Sequence, residues 1–230
     1  MLTSKGGQVV PASTEPNEVC VNGMSFSKRD SLWGNSALVV NVDVDDPVLD
    51  ELKTEHGVLA GIAFQRGLER RAAEMGGGNF TVPVQRLTDF IKYRPSTSAP
   101  SSSYRLGVKP SACHELLPYA MVEALRDAVL NHFEKKMKGF ICDDALLHGV
   151  ETRTSSPVRI CRDPDTMQAI GVKKLFPSGE GAGFAGGIVS AACDGVHVGD
   201  AILEDLNITN KTEHITEWSK ARKKTVGFDY

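Results

Sequence analysis

The sequence predicts a mixed α/β fold, and three observations carry that expectation. Ala37-Leu38-Val39-Val40-Asn41-Val42 is a continuous apolar, β-branched run of the kind that forms a strand buried on both faces. Phe64, Leu68, Ala72 and Met75 recur at helical spacing within residues 58–75, with Arg66, Glu69, Arg70 and Glu74 on the opposite, polar face. A glycine-rich segment at 178–187 runs into a second apolar helical stretch, Ile188 to about Leu203. The 230 residues, 41% of them hydrophobic, suffice for one large domain or two small ones, each with its own core.

Taken in order, Val19-Cys20-Val21 and Met24-Ser25-Phe26-Ser27 flank Asn22-Gly23, a dipeptide that favours a tight hairpin turn. The strand at 37–42 follows, and the acidic stretch Asp43–Asp50 leads into the 58–75 helix. Gly76-Gly77-Gly78 closes that helix. Phosphate-cradling glycines precede a helix, whereas these follow one. Pro95 to Ser103 is serine- and proline-rich and reads as a surface loop or a linker. A second helix is expected from Pro118, carrying Val122, Leu125, Val129 and Phe133 on one face and ending near Lys138-Gly139. Val158–Cys161 and Met167–Val172 then read as two strands joined by the Asp163-Pro164-Asp165 turn.

Composition excludes several classes. With 26 basic against 29 acidic residues, net −3, the chain lacks the basic footprint of a nucleic-acid partner. No apolar run approaches the ~20 residues that span a bilayer, and the first residues hold no apolar signal core. An intracellular protein without a membrane partner is expected. The five cysteines form no CxxC pair and the six histidines no HExxH, so no metal site is expected and the thiols read as reduced.

The chemistry concentrates in Ser178-Gly179-Glu180-Gly181-Ala182-Gly183-Phe184-Ala185-Gly186-Gly187. Gly181, Gly183 and Gly186 satisfy GxGxxG ahead of a helix, whose first N–H groups and dipole favour an anion. Three readings are open at this level: the first turn of a nicotinamide-binding unit, glycines used only for tight packing, or a flavin contact. The dinucleotide fingerprint needs a βαβ unit, and the polar residues after Leu203 do not continue one. Glu180 favours the flavin reading, because a carboxylate repels a phosphate but accepts a strong hydrogen bond from a sugar hydroxyl.

The segment Phe176–Ala192 resembles the closing signature of a family of FAD-dependent dehydrogenases with a two-dinucleotide-binding architecture. Glu151–Ile160, Val21–Ser25, Asn35–Val40 and Gly76–Phe80 resemble further blocks of that family in the same order. Departures are small: the family usually has Tyr where Phe176 and Phe184 stand, and Gly in place of Lys174. The resemblance implies a substrate or cap-like domain over residues 1–150, the C-terminal closing segment of an FAD/NAD(P)-binding Rossmann-like fold over 151–206, and a charged tail over 207–230. The N-terminal βαβ that holds the FAD pyrophosphate is not found, so the expectation is a C-terminal portion of an FAD-dependent oxidoreductase whose partner is that missing half. A non-catalytic remnant or interaction module is the alternative.

The same resemblance implies roles for residues. Gly179, Glu180, Gly181, Gly183, Phe184, Gly186, Gly187 and Ile188 would contact FAD, with Glu180 on the ribityl hydroxyls. Thr152, Arg153 and Ser155 would approach the flavin or the substrate, or else form a polar lead-in to Pro157. No residue stands out as a catalytic acid or base.

Overall fold

The computed structural model describes residues 3, 4 and 6–208. The chain divides between Arg153 and Thr154 into two compact units. Both helices and strands are present, as a mixed α/β chain requires. The last part of the expected charged tail, from residue 209, lies outside the described residues.

The first unit is built around β5 (Val82–Arg86), which pairs in parallel with β6 (Val108–Pro110) and antiparallel with β7 (Leu146–His148). Helix α1 (Asp50–His56) leads through a short 3-10 turn into α2 (Ala60–Gly76). The 3.6-residue repeat does what it predicts: Leu68, Ala72 and Ala73 share one apolar core with Val82, Val84, Val19 and Leu116. Each large aliphatic side chain so buried contributes about 1.5–3 kcal/mol. Gly77 ends α2 with a left-handed backbone (φ 91°), as the triple glycine predicts.

A second cluster joins Leu87 and Phe90 of α3 (Leu87–Ile91) to Val122 of α4 (Tyr119–Asp127) and to Val129. The helix expected from Pro118 forms, with Pro118 just before its first residue. It continues through a π-helical turn (Ala128–Phe133) into α5 (Glu134–Lys136). It stops because the Glu134 carboxylate accepts the N–H groups of Ile141 (2.8 Å) and Gly139 (3.1 Å). Those two bonds hold its carboxyl below the ordinary range.

Three sequence expectations for this unit are corrected and a fourth is narrowed. Asn22-Gly23 is not a turn: both residues lie inside β3 (Val21–Ser25), paired antiparallel with β2 (Gly7–Pro11), and neither takes the positive φ that a primed turn needs. Long-range bonds override the local preference, with the Val19 N–H on the Glu69 carbonyl (3.0 Å) and the Val21 N–H on that of Val150 (2.9 Å). The run Ala37–Val42 is not a strand. The short pair of β1 (Thr3–Ser4) with β4 (Asn35–Ser36) includes Ser36 as its last residue, no described residue pairs with the backbone of 37–42, and Val39 and Val42 are exposed.

Glu69, expected on the polar face of α2, is 1% exposed. The serine-rich stretch Pro95–Ser103, expected as a surface loop or a linker, is a loop tied into the first unit. The Ser96 hydroxyl donates to Asp89 (2.7 Å) and accepts the Arg86 N–H (2.9 Å). Ser103 accepts the Val9 N–H (2.9 Å). The Ser96 bond, with Arg94 beside it, outweighs burial and keeps the Asp89 carboxyl below its usual range.

Among the described residues the second unit has one helix, α6 (Ile188–Asp205), within a residue or two of expectation. The strands expected at 158–161 and 167–172 reduce to a single antiparallel bridge, Arg162 to Ala169. The turn between them forms, its Asp163 carboxylate accepting from the Thr166 N–H (2.8 Å), the Thr166 hydroxyl (3.0 Å) and the Asp165 N–H (3.1 Å). The Cys161 carbonyl still accepts the Ile170 N–H (3.0 Å), but the Ile160 N–H goes to the Ala182 carbonyl (3.1 Å) in the glycine-rich segment.

Candidate functional site

The glycine-rich segment is a series of tight turns laid on residues 156–160 and ending at α6. Within it the Phe184 N–H donates to the Gly179 carbonyl (3.0 Å) and the Gly183 N–H to that of Glu180 (2.9 Å). Gly183 has φ 84°, and a Cβ there would sit 2.5 Å from the Val158 carbonyl oxygen. Its glycine is therefore demanded by close backbone contact within the unit. Gly181 and Gly186 differ, since a Cβ at either would meet nothing within 4 Å. Each of those two positions is open.

At the start of α6, Ser190 Oγ accepts the Gly187 N–H (3.1 Å) and donates to the Gly187 carbonyl (2.9 Å). The helix then begins with Ile188 and Val189, which are 92% and 70% exposed. Glu180 is exposed on the turn before them, and none of its side-chain atoms is engaged by a described residue.

The segment is held from beneath by two residues that sequence reasoning missed. Asp194, buried on α6, accepts the Gly179 N–H (2.8 Å) and the Ser178 hydroxyl (3.3 Å). Arg162 clasps the same carboxylate with two bonds, 2.5 and 3.0 Å, and donates again to the Pro177 carbonyl (2.7 Å). Its guanidinium also lies over the Phe184 ring, 3.6 Å from the centroid. Burial pushes the Asp194 carboxyl up, but Arg162, Gly179 and Ser178 together outweigh it and leave the group below the ordinary range. The available sequence signal was a lone acid: Asp194 is the single charged residue between Ile188 and Gly199.

Thr152, Arg153 and Ser155 do not form one cluster. Thr152 and Arg153 belong to the first unit and converge on Glu69. The Thr152 hydroxyl donates to Oε1 (2.5 Å), as does Arg153 Nε (2.9 Å), while the other guanidinium nitrogen reaches Oε2 (2.7 Å). The remaining Arg153 nitrogen donates to the Ala12 carbonyl (3.1 Å) and the Thr14 hydroxyl (2.5 Å). These bonds raise the hold of Arg153 on its proton, Glu69 making the largest contribution. Ser155 belongs to the second unit and is exposed.

Glu18 is the other group the sequence did not single out. It is buried beside Arg70 (3.3 Å), Arg66 (3.7 Å) and Arg153 (3.9 Å). Three guanidiniums compensate its charge, although its Oε1 makes no hydrogen bond of proper geometry. Among the described residues no group of three or more metal-ligating side chains converges, and no helix is long and apolar enough to cross a membrane.

Among the described residues, a small mixed sheet covered by an amphipathic helix in the first unit, and a glycine-rich turn leading into one long helix in the second, define a mixed α/β protein. The family model described as "FAD-dependent protein, C-terminal domain-like" matches residues 4–154, essentially the first unit. The chain belongs to that family. It is also 44% identical over 205 residues to an uncharacterized protein of Clostridium beijerinckii, an alignment covering 88% of this chain and 37% of that protein. The chain thus spans little more than a third of that relative's length. The glycine-rich segment lies beyond the residues the family model matches.

The residues of that segment fit a flavin dinucleotide. Gly181 and Gly186 leave room for close approach, an 18-residue helix begins directly after the segment, and Glu180 offers an acceptor that no described residue engages.

Proposed function

We propose that this chain forms the C-terminal portion of an FAD-dependent oxidoreductase, contributing a substrate domain (residues 1–150) and the closing segment of the flavin site (residues 151–206). The observation that carries the reading is the open space at Gly181 and Gly186, in a turn that bears the exposed Glu180 carboxylate and runs into α6. Membership in the FAD-dependent C-terminal family supports it. Bound FAD supplies hydride chemistry at its N5 atom.

In this reading Glu180 accepts a hydrogen bond from a ribityl hydroxyl. Gly181 and Gly186 keep side chains clear of the approach, Gly179, Gly183 and Gly187 contribute their backbone to the turn, and Phe184 is held back against Arg162. The backbone from Gly183 to Ile188 meets the pyrimidine edge of the flavin, where the helix dipole favours negative charge. Ser155 is available to the flavin or a substrate, whereas Thr152 and Arg153 act through the Glu69 network that shapes the substrate domain. The βαβ unit for the FAD pyrophosphate comes from outside these residues, in keeping with the greater length of the Clostridium relative.

The test is titration of the full-length protein with FAD, followed by quenching of flavin fluorescence. Glu180→Ala removes one charge-assisted hydrogen bond, and the affinity is expected to fall about ten- to a hundredfold. The melting temperature should not move, because Glu180 is exposed. A wild-type protein that neither carries flavin nor binds it would favour the alternative, an interaction module that has kept the fold without the cofactor.

A further inference from the structure

The Arg162–Asp194 pair does more than neutralise two buried charges. Asp194 projects from the second turn of α6, and through it the helix grips the segment that precedes its own N-terminus. One carboxylate receives Gly179 and Ser178 at the start of the glycine-rich segment. Arg162, bound to that carboxylate, reaches the Pro177 carbonyl on one side and the Phe184 ring on the other. Both ends of the turn are thereby tied to the body of the helix, while Gly181 and Gly186 between and beyond the ties face open space. A glycine-rich turn without such ties would have many conformations, and binding would have to fix its backbone at an entropic cost.

We infer that Arg162 and Asp194 are positioning residues for the flavin: the pair fixes the glycine-rich turn against α6 before the cofactor arrives, and its integrity sets FAD affinity. This rests on the flavin reading of residues 179–188. Neither side chain touches the cofactor in this scheme, since both are committed to each other and to the turn. The geometry demands a planar, five-donor cation. A lysine preserves the charge but cannot span both carboxylate oxygens and the Pro177 carbonyl, and it cannot stack flat on Phe184.

The test uses Arg162→Lys and Asp194→Asn in the full-length protein, with two readouts. The first is amide hydrogen exchange over residues 178–190 in FAD-free protein; the second is FAD affinity. Arg162→Lys should leave exchange in β5 and α2 unchanged, speed exchange of the Gly179–Gly187 amides at least tenfold, and weaken FAD binding at least tenfold. Asp194→Asn sets an amide against a buried guanidinium and should do more on both counts. Where Asp194→Asn fails to fold, Arg162→Lys decides alone.

Unchanged exchange in Arg162→Lys would overturn the inference at its structural step. Faster exchange with unaltered FAD affinity would overturn the positioning role and leave the flavin reading standing. A wild-type protein that takes up no FAD, even though exchange rises in the variant, would instead sink the flavin reading and this inference with it.

Discussion

Glu69 and Arg153, 84 residues apart in the chain, meet through two parallel hydrogen bonds of 2.9 and 2.7 Å. The carboxylate is buried on α2, and the guanidinium comes from the last residue of the first unit. The pair fastens the end of that unit to its principal helix. Gln65 repeats the attachment one turn earlier, donating to the Thr152 carbonyl (2.8 Å).

Arg153→Met should therefore be costly. It keeps the length of the side chain but leaves Glu69 buried with only the Thr152 hydroxyl. Removing one partner of a buried pair destabilises by about 3–5 kcal/mol. Urea denaturation at pH 7 measures the loss. A change below about 1 kcal/mol would mean that water reaches Glu69 and that the pair behaves as an exposed one.

Acid should weaken the first unit through His148. The Leu146 carbonyl, 3.2 Å from Nδ1, can only accept, so Nδ1 carries the proton and Nε2 accepts from the Ser102 hydroxyl at 2.7 Å. Burial drives the imidazole down to about 4 from its ordinary 6.5. The unfolded chain thus binds a proton that the folded chain refuses over that interval. Stability from this group is complete above about pH 6.5, falls as the pH drops toward 4, and levels off below. The interval corresponds to about 3 kcal/mol. Denaturation at pH 7, 5.5 and 4 should show that slope, and His148→Gln should flatten it at the expense of some stability at pH 7.

The glycines of the candidate site should separate into two kinds. Gly183→Ala forces a Cβ into the Val158 carbonyl in a left-handed backbone and should destabilise the second unit by at least about 1–3 kcal/mol. Gly186→Ala meets open space and should change stability by no more than about 0.5 kcal/mol. Gly186→Val should likewise fold, yet its branched side chain occupies the approach to α6 and should weaken FAD binding at least tenfold. Hydrogen exchange of α6 reads the first effect and flavin fluorescence the second. Tight FAD binding by Gly186→Val would move the flavin away from this turn.

The sequence by itself determined the features that depend on near neighbours in the chain. The α2 stripe of Phe64, Leu68 and Ala72, the glycine stop at Gly77, the helix after Pro118, the turn at Asp163 and the span of α6 are set by spacings of a few residues. Helical periodicity and capping are local physics, legible without a fold. The glycine-rich turn and its exposed Glu180 were also visible, because glycine spacing and a lone carboxylate carry their own chemical meaning.

Tertiary structure alone decided the rest. Asn22-Gly23 became mid-strand because β2 supplied a backbone partner, and Ala37–Val42 is no strand because no described residue supplies one. Glu69 and Asp194 went inside for the same reason: a charge can be buried only where a distant guanidinium waits, Arg153 at 84 residues and Arg162 at 32. An ion pair across such separations leaves no period in the sequence. A carboxylate on a helix looks identical whether water or an arginine will meet it, and only the fold brings the arginine.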